Sequence, residues 1–293
     1  MCYPVVSLKL NNQAYRVRFV EAELPKGKRM SISEFGYNPN VKSIKMMRLN
    51  LPGEQVLYTS TNPRTSYEET ISPENSNRPF YLSVWLKKRE NQLCSCFMSS
   101  FDSCSEDTQS NAYKIKTDYR NNLNSKQEQT IKEIGKVLEK KSSEQSLDIY
   151  KESAKLASDI FKYADCIITP SARDNKEVNL TFNKNFADES LVLNRIYYCN
   201  PFPNDCGSLV FRVVKIGLVI SNRVVWYNWH VKDNELLYTD SNLLINYDYN
   251  RESLIYPNII KPIDDWHIGF YNQKKVKFQI EIEEDNILHL DKK

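Results

Sequence analysis

The sequence predicts an α+β chain, and three patterns of apolar residues predict it. Near the start, period-two alternation marks strands, as in Tyr15-Arg16-Val17-Arg18-Phe19-Val20. Between 125 and 161 the period becomes helical, with Ile131, Ile134 and Leu138 on one face, then Ile149, Ala154, Ala157, Ile160 and Phe161 on another stripe. Beyond 166 the strand period returns and runs into the tail, through Val225, Tyr227, Trp229 and Val231 and later Val276, Phe278, Ile280 and Ile282.

Residues 1–60 read as short strands and loops, with turn residues at Gly36-Tyr37-Asn38-Pro39. Met46 to Asn50 reads as a strand end, and Pro52-Gly53 as a tight turn before the strand Gln55 to Ser60. Asn62 followed by Pro63 is a helix start: a capping side chain, then proline where the missing N–H costs nothing. Two strands are expected over 80–98, either side of a charged turn from Lys87 to Asn91, and the Ser/Asp/Asn-rich stretch 99–112 reads as a loop. Ser125 with Glu128, and Ser142 with Gln145, have capping-box spacing and start two helices joined by a short KKSS connection. Strands follow at 166–169, 178–182 and 209–220. The boundary is drawn at 204, with a β-rich extension over 205–293.

Composition excludes several function classes. Forty basic against thirty-seven acidic residues leave a net charge of +3, not the basic stripe that nucleic acid demands. No apolar run approaches the roughly 20 residues needed to span a membrane, and the first residues lack a charged and then apolar leader. Seven cysteines, an odd number, suit reduced thiols in the cytoplasm. Cys94-Ser-Cys96 is not a zinc spacing, and His230, His267 and His289 lie far off in sequence, so no metal is expected. With 7 glycines, no Gly-rich phosphate loop can be placed.

One stretch carries chemistry. RLNLPGEQVLYTSTNPRTSYEE, residues 48–69, holds Arg48 and Asn50, a Pro-Gly turn, Tyr58 on an apolar strand, and Glu68-Glu69 on the helix that follows. The two glutamates point about 100° apart on a helix, so only one can face the strand of Tyr58. Arg48 to Tyr58 is ten residues, and Tyr58 to Glu69 eleven. Taken alone, these residues equally describe an edge hairpin beside a surface helix with a solvated ion pair. A second block lies downstream: Ile168-Thr169-Pro170-Ser171-Ala172-Arg173, then Asn179-Leu180-Thr181-Phe182.

Both blocks, in this order and spacing, resemble the signature of RES-domain proteins, bacterial toxins related to the ADP-ribosyltransferase fold. Tyr15-Arg16-Val17 is similar to that family's opening strand, and the likeness covers about residues 12–200. Thr169 stands where the family has Tyr, Val178 where it often has Gly, and Met47 where many members have Gly. The family's spacing selects Glu69 over Glu68. The resemblance implies a catalytic domain over 1–204, built of ADP-ribosyltransferase-like mixed sheets with the helical hairpin inserted. It implies NAD⁺ as substrate, with no further cofactor, and cleavage of the nicotinamide–ribose bond. The implied catalytic set is Glu69, Arg48, Tyr58 and Ser171, with Asn50 joining Arg48, Tyr58 and Ser171 in binding. It also implies a cognate antitoxin as a partner.

The acceptor stays open: water makes a glycohydrolase, phosphate a phosphorylase, a protein side chain an ADP-ribosyltransferase. A module that keeps a nucleotide pocket without turnover is the non-enzymatic alternative. Trp226, Trp229 and Trp266 in the tail suit a β core, or else an oligomer or partner surface.

Overall fold

The computed structural model describes all residues except 1–2, 10–12, 21–29, 89–92, 100–103, 140–146, 203–209, 221–222, 228–229, 233–234, 238–242, 249–252, 256–258, 264–266, 273, 277, 283–287 and 293. The chain is mixed α+β, with a large, mostly antiparallel sheet and five helices among the described residues. It divides into two units that interleave in sequence: Met1–Val17, Ser33–Thr70 and Val84–Leu193 form one, and Arg18–Ile32, Ile71–Ser83 and Asn194–Lys293 the other.

The first unit carries β1 (Val6–Leu8), β2 (Gln13–Phe19, up to Val17) and, past the short β3 (Met30–Ser31) of the second unit, β4 (Val56–Ser60) and helix α1 (Pro63–Thr70). β5 (Phe80–Lys87) is divided between the units after Ser83; β6 (Leu93–Phe97) belongs to the first. Then come α2 (Asn111–Asn121), α3 (Ser125–Glu139), α4 (Leu147–Ile160), β7 (Cys166–Pro170), β8 (Val178–Asn183) and α5 (Lys184–Ser190). The strand order is β1-β6-β7-β8-β4-β2. All of these pairs are antiparallel except β6–β7, which is parallel. A parallel pair cannot be closed by a tight turn and needs a crossover of a dozen residues or more. The helices α2, α3 and α4 are that crossover, which is why the helical period appears between residues 98 and 166.

Ile134 of α3 and Ala157 and Ile160 of α4 are buried with Cys96 and Ile167 of the strands and with Met98 and Leu49, and Tyr58 and Phe161 pack against this cluster. Burying an isoleucine of this kind stabilises by about 1.5–3 kcal/mol, so the crossover is fastened to the sheet by its apolar stripe. The α3 cap lies one residue earlier than its spacing predicts. Asn124 Oδ1 accepts from Gln127 N, and Gln127 Oε1 accepts from Asn124 N, both at 3.0 Å; Glu128 instead meets Arg120 at 3.0 Å. The proposed Ser142–Gln145 cap and the KKSS connection lie outside the described residues. Residues 111–112, expected in a loop, open α2, whose buried face is Ala112, Lys116 and Tyr119.

In the second unit β9 (Leu191–Phe202, from Asn194), β10 (Val210–Ile220), β11 (Arg223–Tyr227) and β3 follow one another as antiparallel neighbours. The strand Leu243–Asp248 also pairs with β10. Gly217 sits opposite Trp226. A Cβ there would lie 2.6 Å from Val224 Cγ1 and 3.1 Å from the Trp226 ring, so glycine makes room for the indole. Trp226, half-buried, stacks on Tyr81 with centroids 5.6 Å apart; Trp229 and Trp266 lie outside the described residues. Shorter antiparallel pairs continue to Leu288–Lys292. No described helix is long and apolar enough to cross a membrane.

Candidate functional site

Arg48 is exposed, as is Met47 before it. Met47 N donates to Asn50 O at 3.1 Å, closing a tight loop around it, and Leu49 and Asn50 are buried behind it. The Asn50 amide donates to the carbonyls of Lys45 and Leu51, both at 3.0 Å. Gly53 has a φ of +83°, and Glu54 N donates to Leu51 O at 3.1 Å. This suits a turn with proline second and glycine third. Glu54 then fastens the turn to the helices: its Oε2 accepts from Leu51 N at 2.8 Å and its Oε1 from Ser158 Oγ of α4 at 2.5 Å.

Tyr58 holds the same turn from below. Its hydroxyl donates to Asn50 Oδ1 at 3.0 Å and accepts from Leu49 N at 3.1 Å. Burial pushes the phenol far above its usual range, against smaller opposing effects of the Leu49 N–H and the Arg16 and Arg48 charges. Tyr58 therefore stays protonated and works as a hydrogen-bonding group, not as a base. Arg16 of β2, from the third matching segment, donates from Nη1 to Tyr58 O at 3.3 Å. Tyr58→Phe leaves the Leu49 N–H and the Asn50 carbonyl without this partner, and should destabilise the fold by about 1–3 kcal/mol. A denaturant midpoint unchanged from wild type would show that the hydroxyl does not hold the turn.

Glu69 and Ser171 meet directly. Asn62 Oδ1 accepts from Thr65 N at 2.8 Å, capping α1 as the sequence predicts. Thr65, Ser66 and Tyr67 are buried, and Glu68 and Glu69 stand in the last turn of the helix. Glu68 pairs with Arg64 one turn back at 2.6 Å. Glu69 Oε1 accepts from Ser171 Oγ at 2.5 Å and from Ala172 N at 2.8 Å. Ser171 Oγ in turn accepts from the backbone N–H groups of Arg173 and Asp174, both at 3.1 Å, which fixes its proton toward Glu69. A carboxylate in the last turn of a helix faces the negative end of the helix dipole, which costs roughly 0.3–1 kcal/mol. Helix stability thus does not account for an exposed glutamate there, and the two bonds it accepts hold it in one orientation.

Register explains the convergence. Ser60 lies opposite Asn179 and Pro170 opposite Val178. The end of β4, the start of β8 and the end of β7 therefore share one edge of the sheet. α1 leaves from the first and Ser171 follows the last. Ser60 Oγ donates to Asn179 Oδ1 at 2.6 Å across the same edge. Two groups result, both built on β4: Arg48, Asn50 and Tyr58 around the turn, and Glu69 with Ser171 at the strand's far end.

Glu177, which no motif singles out, is buried behind the second group. It accepts from Thr61 Oγ1 at 2.6 Å and from Asn111 Nδ2 at 3.1 Å. Burial raises its carboxyl above the ordinary range, against the pull of the Thr61, Asn111 and Asn62 hydrogen bonds, and Asp174 raises it further. Its partners come from two segments far from it in sequence, so no spacing signals it.

A cavity of about 770 Å³, lined among others by Lys87, Phe161, Tyr163, Asp165, Asn183 and Phe186, lies at the opposite ends of β7 and β8 and includes none of the predicted site residues. Among the described residues no three His, Cys, Asp or Glu side chains cluster as metal ligands would. Comparison of the chain with protein-family models, with curated proteins and with solved structures returns no match.

Proposed function

We propose that this protein cleaves the nicotinamide–ribose bond of NAD⁺, with water as acceptor, and so depletes NAD⁺. The observation that carries the reading is the Glu69–Ser171 pair: an exposed carboxylate, oriented by a serine hydroxyl and a backbone N–H, at a helix end where charge is disfavoured. Nicotinamide departs as a neutral molecule from a cationic ring, so the leaving group needs no protonation. Positive charge grows on the ribose in the transition state, and a preoriented carboxylate stabilises it. Both of Glu69's bonds fall on Oε1, and its negative charge faces the developing oxocarbenium. Ser171 orients Glu69.

Arg48 presents a planar fork of donors suited to the pyrophosphate, without a Gly-rich loop. Tyr58 and Asn50 act on that arginine through the turn they hold. The balanced step is NAD⁺ plus water to ADP-ribose, nicotinamide and a proton. A toxin of this kind would be held in check by a partner antitoxin in a bacterial cytoplasm. Purified protein incubated with NAD⁺ should release nicotinamide and ADP-ribose in equal amounts. Intact NAD⁺ after prolonged incubation with folded protein would remove the proposal and favour a module that binds without turnover.

A further inference from the structure

We propose that Glu177 is a positioning residue for Glu69 and Ser171, holding the segments that carry them in one register. The inference rests on the reading of that pair as the reactive centre, and its geometry is independent of that reading. Glu177 is 4% exposed. Its main chain closes the loop that begins at Ser171: Ser171 N donates to Glu177 O at 3.0 Å, and Glu177 N donates to Asp174 O at 3.1 Å. Its side chain reaches the other segment. Thr61 Oγ1, at the end of β4, donates to Glu177 Oε2 at 2.6 Å, and the next residue, Asn62, caps the helix that carries Glu69.

Asn111, the first residue of α2, donates to both carboxyl oxygens at 3.1 and 3.2 Å, so the crossover is tied into the same point. One carboxyl thus gathers the Ser171 loop, the start of the Glu69 helix and the start of α2. Stability alone is a poor reason for such a group. Burial is the largest influence on this carboxyl and acts against its charged form, so the charge itself adds no stability. Its value lies in geometry. The Glu69–Ser171 bond joins two segments far apart in sequence, which strand register brings to one edge and which the Glu177 carboxyl ties side to side.

The test uses the full chain and two readouts. Glu177→Gln keeps an acceptor for Thr61 but loses one for Asn111, which is half-buried, and its melting temperature should fall by no more than a few degrees. Its kcat for nicotinamide release should fall about tenfold with KM changed less than twofold, since a loosened transition-state contact lowers kcat. Glu177→Ala should lose about a hundredfold in kcat. Exchange of the Ala172 amide, protected by Glu69 Oε1, should quicken at least tenfold in both, while amides pairing β4 with β8 keep their protection. Thr61→Val, which removes that donor together with the hydroxyl's bonds to Val178 N and O, gives the same pattern to a lesser degree, the Val178 amide aside, and serves if Glu177→Ala does not fold. Wild-type kcat, or unchanged Ala172 exchange, in folded variants overturns the inference. Quickened exchange in a protein whose wild type releases no nicotinamide removes the proposed function and leaves Glu177's positioning role standing.

Discussion

Glu69→Gln should abolish NAD⁺ cleavage, by about a thousandfold or more, while Glu68→Gln leaves it within about threefold of wild type. A thousandfold corresponds to about 4 kcal/mol of transition-state stabilisation, a magnitude reached by a charge fixed beside a developing cation. Gln keeps the shape and can still accept from Ser171 and Ala172 through its amide oxygen, so what disappears is the charge. Glu68 is the matched control. It occupies the same last turn of α1, yet its carboxylate pairs with Arg64 at 2.6 Å on the helix itself. Breaking such an i,i+4 pair costs about 0.3–0.5 kcal/mol of stability and no chemistry. The measurement is nicotinamide release at saturating NAD⁺, with melting temperature taken on each variant. Equal losses in the two variants would mean that neither carboxylate faces the ribose.

The parts of the fold that were legible are those decided by neighbours in sequence. Asn62-Pro63 starts a helix because capping is local chemistry, and the Pro52-Gly53 turn forms because glycine alone takes a φ of +83° at no cost. Locality also misleads by a residue. Ser125/Glu128 and Asn124/Gln127 both have capping-box spacing, and the pair that forms leaves Glu128 to meet Arg120 of the preceding helix. Helix α2 was invisible to an apolar pattern because its buried face includes Lys116, whose ammonium meets Glu106 at 2.6 Å. The division into two interleaved units depends on long-range pairing, which no periodicity encodes.

The same split runs through the site. The helix geometry that separates Glu68 from Glu69 is readable, but which one faces Ser171 is decided by the register of β4, β8 and β7. Composition and spacing of generic residue types do not choose between them; in the structure the Ser171 hydroxyl meets Glu69. Tyr58 is the instructive case. Its ring packs on the helical crossover and its hydroxyl ties down Asn50 and Leu49. It supports the turn that carries Arg48 from within the fold, a role that its place on an apolar strand does not announce.

Expression of the wild-type chain in bacteria without a regulator should stop growth and empty the NAD⁺ pool, and Glu69→Gln should relieve both. That relief is required whether the acceptor is water, phosphate or protein, so the acceptor needs its own readout. NAD⁺ labelled in its adenylate phosphate, added to a lysate with the purified protein, gives it. Transfer to water puts the label in free ADP-ribose; transfer to phosphate puts it in an ADP-ribose phosphate whose yield follows the phosphate concentration. Transfer to protein retains it on a band. Water is expected, because charge is nearly balanced at +3 over the whole chain, which gives no net attraction for a charged protein substrate. The nucleophile then comes from solvent at 55 M, which no weakly held side chain matches unless it is docked. Label on a single band, with the rest of the pool intact, overturns glycohydrolysis in favour of ADP-ribosyl transfer.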